Sequence, residues 1–184
     1  ILEFRKSVIN LTTSQNPGAN ASPGDLLRYT ITINNVSTLA ISNFTLTDEL
    51  DRLNATASFQ PGSLALVAIP AGASATFTDA SGGSKGTGLV DIRDLSIDAV
   101  GGANANLTIV FEARLAAVIT SGTAVLNQAQ LPTITNPPLN SDDPNVNGPD
   151  VAATIGDEDP TRTVIASAPA WQVDKVSLDI TGDP

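Results

Sequence analysis

An all-β antiparallel sandwich is the fold class this sequence predicts, on three observations. Apolar residues recur with a period of two, turn signals rich in Gly and Pro fall between the runs, and helical periodicity is scarce. The clearest run is Leu27, Tyr29, Ile31 and Ile33 against Arg28, Thr30, Thr32 and Asn34, the alternation of a strand with one buried face. Leu107, Ile109, Phe111, Ala113 and Leu115 form a second such face, with Thr108, Glu112 and Arg114 opposite. Phe44, Leu46 and Leu50 belong to a third, and Val125, Ala129 and Leu131 mark a fourth. Leu2, Phe4 and Val8 share one parity at the start, while Leu64, Leu66, Ile69 and Phe77 indicate less regular strands. Thr, Val and Ile are plentiful in these runs, as a pleated, half-buried surface prefers.

Pro23-Gly24-Asp25, Pro61-Gly62, Gly82-Gly83 and Gly101-Gly102 separate the runs. Only Asp48 to Leu53 and Ala113 to Ile119 offer a short helical stretch. Many short strands with frequent turns point to an immunoglobulin-like sandwich over residues 1–131. After Leu131 the composition shifts toward Pro, Asn and Asp, so 132–170 reads as an acidic Pro-rich linker, with Val151–Ile155 and Thr161–Ala166 as candidate edge strands.

The last segment, 171–184, carries an echo of the first strand. Lys175-Val-Ser-Leu-Asp-Ile-Thr181 matches Lys6-Ser-Val-Ile-Asn-Leu-Thr12 at an offset of 169 residues (175 − 6), and an aromatic precedes each, Trp171 and Phe4. Trp171, Lys175, Leu178 and Ile180 are therefore read as a joint, either the first strand of a next repeat or a strand donated to a neighbouring subunit.

Composition narrows the function. Nine Lys and Arg stand against 19 Asp and Glu, a net charge of -10. That balance disfavours nucleic acid, whose binding rests on cationic side chains, and an anionic membrane surface. With no His and no Cys, there is no His-assisted serine triad, no thiol nucleophile, no ordinary zinc site and no disulfide. No run of apolar residues is long enough for a transmembrane helix, so no membrane insertion is expected within this segment. Ile1-Leu2-Glu3-Phe4 does not read as a signal peptide, and the chain is read as an internal piece of a longer protein.

Four motifs then follow in order: Lys6; Pro23-Gly24-Asp25-Leu-Leu-Arg-Tyr29-Thr-Ile-Thr-Ile-Asn-Asn35; Leu46-Thr-Asp48-Glu-Leu50; and Asn127-Gln-Ala129. From Phe4 to Leu131 the chain resembles the conserved repeat domains of large prokaryotic surface proteins, and the related isopeptide-forming domains of fimbrial proteins of the collagen-adhesin type. The resemblance implies an extracellular, cell-surface role. It also implies a spontaneous amide between Lys6 and Asn127, promoted by Asp48. Parity bears on this independently. Asp48 shares the phase of Phe44 and Leu46, Asn127 that of Val125 and Ala129, and Lys6 that of Phe4 and Val8, so all three are predicted to point inward. Glu112 falls on the opposite phase from Phe111, which disfavours it as the promoting acid. The plainer reading of the three residues is a buried ion pair with a hydrogen-bonded Asn.

Weaker signals remain. Asp142, Asp143, Asp157 and Asp159 are hard oxygen ligands of the kind Ca²⁺ uses, although their spacing departs from the helix-loop-helix calcium motif and a solvated acidic linker is the plainer account. No other cofactor is expected. Among six Asn-x-Ser/Thr sequons, Asn35 and Asn43 flank a strand connection and are the leading glycosylation candidates. Ser81-Gly-Gly-Ser-Lys85-Gly lacks the order of a phosphate-binding loop and reads as a flexible hairpin tip.

The expected function is a structural repeat of a filament, stalk or surface layer whose partners are copies of itself or adjacent repeats, with at most single-turnover self-processing. The alternative is an adhesin or carbohydrate-binding module, against which the scarcity of aromatics counts: one Trp, one Tyr and five Phe.

Overall fold

Strict alternation makes the first strand. In β1 (Leu2–Asn10) every even residue is buried, and β1 pairs antiparallel with β3 (Leu26–Asn35), Lys6 opposite Ile31. The short β2 (Asn20–Ala21) lies between them in sequence. The computed structural model describes residues 1–148, 156–167, 175 and 182. The remaining strands are β4 (Ile41–Glu49), β5 (Ala65–Ala68), β6 (Leu89–Ile97), β7 (Asn106–Arg114), β8 (Ala124–Asn127), β9 (Gln130–Leu131), β10 (Leu139–Asn140) and β11 (Thr161–Ile165). The described residues contain no helix, so the short helical stretches expected at Asp48–Leu53 and Ala113–Ile119 are corrected. The first is a turn following β4, and the second is the end of β7 and an irregular connection.

Three sheets result, in the orders β1-β3-β7-β5, β10-β9-β4-β6 and β2-β11-β8. All pairings are antiparallel except that of β11 with β2. One continuous core is shared by all three: Phe4, Tyr29, Ile31 and Phe111 from the first, Phe44, Leu46, Ile92 and Leu131 from the second, Val125 and Ile165 from the third. Burying a side chain of this size is worth about 1.5–3 kcal/mol, which is what holds the sheets together in a chain without disulfides.

β6 carries no clean alternation, because the β4–β6 pairing shifts register twice between Ile41 and Leu46. Asn43 and Asp94 sit there at φ +57° and +59°. An extra residue at a bulge inverts the parity downstream of it.

The Pro- and Asp-rich stretch is built into the body. β10 pairs with β9, and Asp142 bridges to β1 through Asp142 N–Phe4 O (2.8 Å) and Lys6 N–Asp142 O (2.7 Å). β11 is not an edge strand but lies between β2 and β8, and its Ile165 belongs to the core. The boundary expected at residue 131 therefore does not mark the edge of packed structure. Thr161, Thr163 and Ile165 alternate inward there, hidden by the surrounding composition. Val151–Ile155 lies outside the described residues.

The path of the chain is polar. Ile1 lies beside Val36 at one pole, with Val36 N donating to Ile1 O at 3.1 Å. Ala166 leaves β11 at the other pole, where its N donates to Ala21 O at 2.8 Å, next to the start of β3.

Candidate functional site

Each of the three sheets contributes one polar side chain to the centre. Lys6 on β1, Asp48 on β4 and Asn127 on β8 are all buried, at 1%, 0% and 1% exposure. The in-out alternation of each strand aims them inward, in place of the apolar residue the pattern would otherwise supply. Lys6 Nζ forms a hydrogen-bonded ion pair with Asp48 Oδ2. The amine also lies 4.7 Å from the Tyr29 ring centroid and 5.4 Å from that of Phe111. Tyr29 stacks on Phe111 and meets Phe59 edge-on, so the floor of the site is aromatic.

Asn127 is the unusual member. Its carboxamide stands beside the Asp48 carboxyl and the Tyr29 hydroxyl, within weak hydrogen-bonding reach of both, yet neither Nδ2 nor Oδ1 makes a well-formed hydrogen bond. Asp48 Oδ1 is likewise without one. A buried amide left unpaired costs about 1–3 kcal/mol. Neighbouring Gln128 shows the ordinary solution, its Nε2 donating to Ser141 O at 3.0 Å and Glu158 O at 3.1 Å.

Burial sets the protonation states. Desolvation lowers Lys6 to about 8, against the opposing pull of Asp48. Desolvation also raises Asp48, opposed chiefly by Lys6. Both shifts favour the neutral forms, an amine and a carboxylic acid, and a proton passing from Nζ to the carboxyl produces both at once. A neutral amine is a nucleophile, and a carboxylic acid can donate a hydrogen bond to an amide oxygen. Glu112 is excluded from this chemistry, since it lies on the other face and pairs with Arg28 at 2.5 Å.

The same residue types meet once more, in a contrasting way. Asp51 accepts from Ser58 N, Phe59 N and Asn54 Nδ2; Asn54 Oδ1 accepts from Leu126 N; Lys85 Nζ donates to the Asp51 and Asn54 carbonyls, both at 2.6 Å. Every group there is satisfied, and the cluster ties the 50–59 loop to β8. Lys85 is thus an anchor rather than part of a flexible tip. Nothing in the sequence around Asp51 signals this, because its partners are mostly backbone atoms.

The other predicted residues fare differently. Asn35 is fully buried, and its Nδ2 donates to Leu39 O and Asp98 O, both at 2.8 Å. Its expected role as a glycosylation acceptor is corrected: the nitrogen holds the strand connection. Asn43 is exposed. Backbone bonds bring Asp142, Asp143 and Asp159 into one neighbourhood, where Asp143 N donates to Asp159 O and Asp159 N to Asp142 Oδ1. Asp142 and Asp143 are buried rather than solvated. Among the described residues no group of three or more His, Cys, Asp or Glu side chains is gathered where it could hold a metal ion. Lys175 is exposed, whereas Trp171, Leu178 and Ile180 lie outside the described residues.

No protein-family model matches the chain, and no curated protein matches it. Among solved structures, two crystal structures of a GH20 exo-β-N-acetylglucosaminidase from Vibrio harveyi, one in complex with N-acetylglucosamine and one an inactive mutant, align with 96% of this chain. The identities are 10% and 13%, and the TM-scores 0.32 and 0.31. This chain spans 20% of theirs, and a likeness at that level carries no argument about fold or activity.

Proposed function

We propose that this chain is a structural module of an extracellular filament, stalk or surface layer, an immunoglobulin-like sandwich that locks itself with an isopeptide bond between Lys6 and Asn127. The observation that carries the reading is the Asn127 carboxamide, buried without a well-formed hydrogen bond beside a Lys–Asp pair whose burial favours the neutral forms.

Lys6 Nζ, as the amine, attacks Asn127 Cγ. Asp48, as the acid, hydrogen-bonds the carboxamide oxygen and stabilises the charge that develops there. The Cγ–Nδ2 bond breaks, the proton released by Nζ is passed through Asp48 to the leaving nitrogen, and ammonia departs. Amine plus primary amide becomes secondary amide plus ammonia, with nothing oxidised or reduced. The reaction occurs once per molecule.

Mass of the denatured chain tests the reading. The expected result is a deficit of one ammonia, abolished in Lys6→Ala and Asn127→Ala and strongly slowed in Asp48→Ala. A mass equal to that of the plain sequence sinks it. The adhesin alternative has little to rest on: the one large aromatic that is exposed among the described residues, Phe77, has the Arg93 guanidinium 3.6 Å over its ring.

A further inference from the structure

Asn127 is clamped in its backbone and loose in its side chain. Leu126, just before it, donates from N to Asn54 Oδ1 at 2.8 Å and accepts at O from Asn54 Nδ2 at 3.0 Å. The Asn127 carbonyl accepts from Thr161 Oγ1 at 2.8 Å, and that of Gln128 from Arg52 Nη2 at 3.3 Å. With the main chain held at three successive residues, the motion left to the carboxamide is rotation about its own side-chain bonds. Attack by Lys6 needs one setting of that rotation, and the backbone contacts do not choose it.

Two side chains stand within weak hydrogen-bonding reach of the carboxamide, Asp48 and Tyr29. The carboxamide has two polar ends, an acceptor oxygen and a donor nitrogen. Asp48, once it holds the Lys6 proton, is a donor and suits the oxygen. The Tyr29 hydroxyl is left for the nitrogen. Tyr29 is placed without slack: it is buried, its ring stacks on Phe111 with centroids 5.1 Å apart, and its strand runs between β1 and β7 with Val8 and Phe111 opposite. The same ring lies 4.7 Å from Lys6 Nζ, so one side chain gauges both nucleophile and leaving group. A buried tyrosine hydroxyl needs a polar partner. Burial first, and the Asp48 and Asp51 charges second, keep this one protonated.

We propose that the Tyr29 hydroxyl is a third catalytic group of the cross-linking reaction, one that binds the leaving nitrogen of Asn127. This rests on the reading of Lys6 and Asn127 as the two ends of an isopeptide bond. In the starting amide Nδ2 shares its lone pair with the carbonyl and can only donate. The hydroxyl therefore accepts from it, which turns the oxygen toward Asp48. As Nζ adds to Cγ, the conjugation ends and Nδ2 gains a free lone pair. The hydroxyl then turns its hydrogen onto that lone pair, an interaction absent from the ground state and so of the kind that speeds a reaction. Asp48 delivers the proton that Nζ releases, ammonia leaves, and the hydroxyl ends as it began.

Tyr29 is the only tyrosine of the chain, so its hydroxyl can be altered singly in two ways. The full chain is made by cell-free synthesis, samples are denatured at intervals, and intact mass gives the fraction short of one ammonia. Tyr29→Phe keeps the ring and removes the hydroxyl; it is expected to form the bond at least about tenfold more slowly, while remaining folded by urea denaturation in the Asn127→Ala background. A Tyr29→Phe chain that keeps pace with wild type overturns the proposal and leaves the cross-link standing. Replacing tyrosine throughout by a ring-fluorinated tyrosine keeps the hydroxyl and makes it a stronger donor, and faster bond formation is expected. An unchanged or slower rate there overturns the proposal even where Tyr29→Phe fails to fold. A wild type that never loses ammonia removes the cross-link and this role with it.

Discussion

A lysine and an aspartate buried together in a protein core form a costly pair unless something further is gained. Asn127→Ala separates the cost from the gain, because it removes the electrophile and keeps the pair. Lys6 holds its proton more weakly folded, at about 8, than unfolded, at 10.5. Between those values the unfolded chain binds more protons, so the stability of this variant rises with pH. The slope is at most about 1.4 kcal/mol per pH unit, and the urea midpoint is expected to be higher at pH 10 than at pH 8, by roughly 2 kcal/mol of stability. Above that range Tyr29, whose ionisation burial suppresses, reverses the slope, since the folded state then keeps the proton that the unfolded state loses. A flat or falling midpoint between pH 8 and pH 10 would show that Lys6 stays charged in the core. The inward aim of all three residues was legible from parity alone, because each occupies an apolar phase of a regular strand. The aromatic floor was not: Tyr29 and Phe111 face each other across the β3–β7 register, which no single strand reveals.

At the scale of elements, the chemistry depends on strands and loops that touch it only indirectly. β11 pairs with β8 along Thr161–Val164, and Thr161 Oγ1 donates to the Asn127 carbonyl at 2.8 Å. Detaching β11 with Ile165→Asp, a charge at a position 1% exposed, is expected to leave a substantial fraction of chains without the ammonia deficit. Undiminished cross-linking in that variant would mean β8 holds Asn127 without help. The 50–59 loop acts from the other side, since Asp51 fixes the Phe59 amide and Phe59 packs against Tyr29. Asp51→Ala orphans the Ser58 and Phe59 amides, leaves Asn54 Nδ2 with only the Leu126 carbonyl, and is expected to cost about 2–4 kcal/mol by urea denaturation, read in the Asn127→Ala background so that no cross-link masks it. Strands with unbroken alternation, β1, β3 and β7, were readable from the sequence. β6 was not, because its bulge breaks the period, and β11 was only half so, because the neighbouring Pro and Asp residues made a central strand look peripheral.

For the whole molecule, the proposed bond encloses the 122 residues from Lys6 to Asn127 inclusive (127 − 6 + 1). If the loop-entropy estimate for disulfides transfers, closing a loop of that length is worth about 5 kcal/mol. Removing it with Asn127→Ala is expected to lower Tm by roughly 10–20 °C in a chain of this size, read by calorimetry. A Tm within a few degrees of wild type would mean the sandwich does not draw its durability from the bond.

Chain entry at one pole and exit at the other gives that bond a direction. Tension applied between the ends would pass from Lys6 straight into Asn127 and bypass β3 to β7. About 400 Å of contour would never be paid out. Left in the load path are the residues before Lys6 and those after Asn127, so under load the chain would yield at its two ends, at the exit pole by peeling β11 from β8 and β2 and drawing Ile165 out of the core.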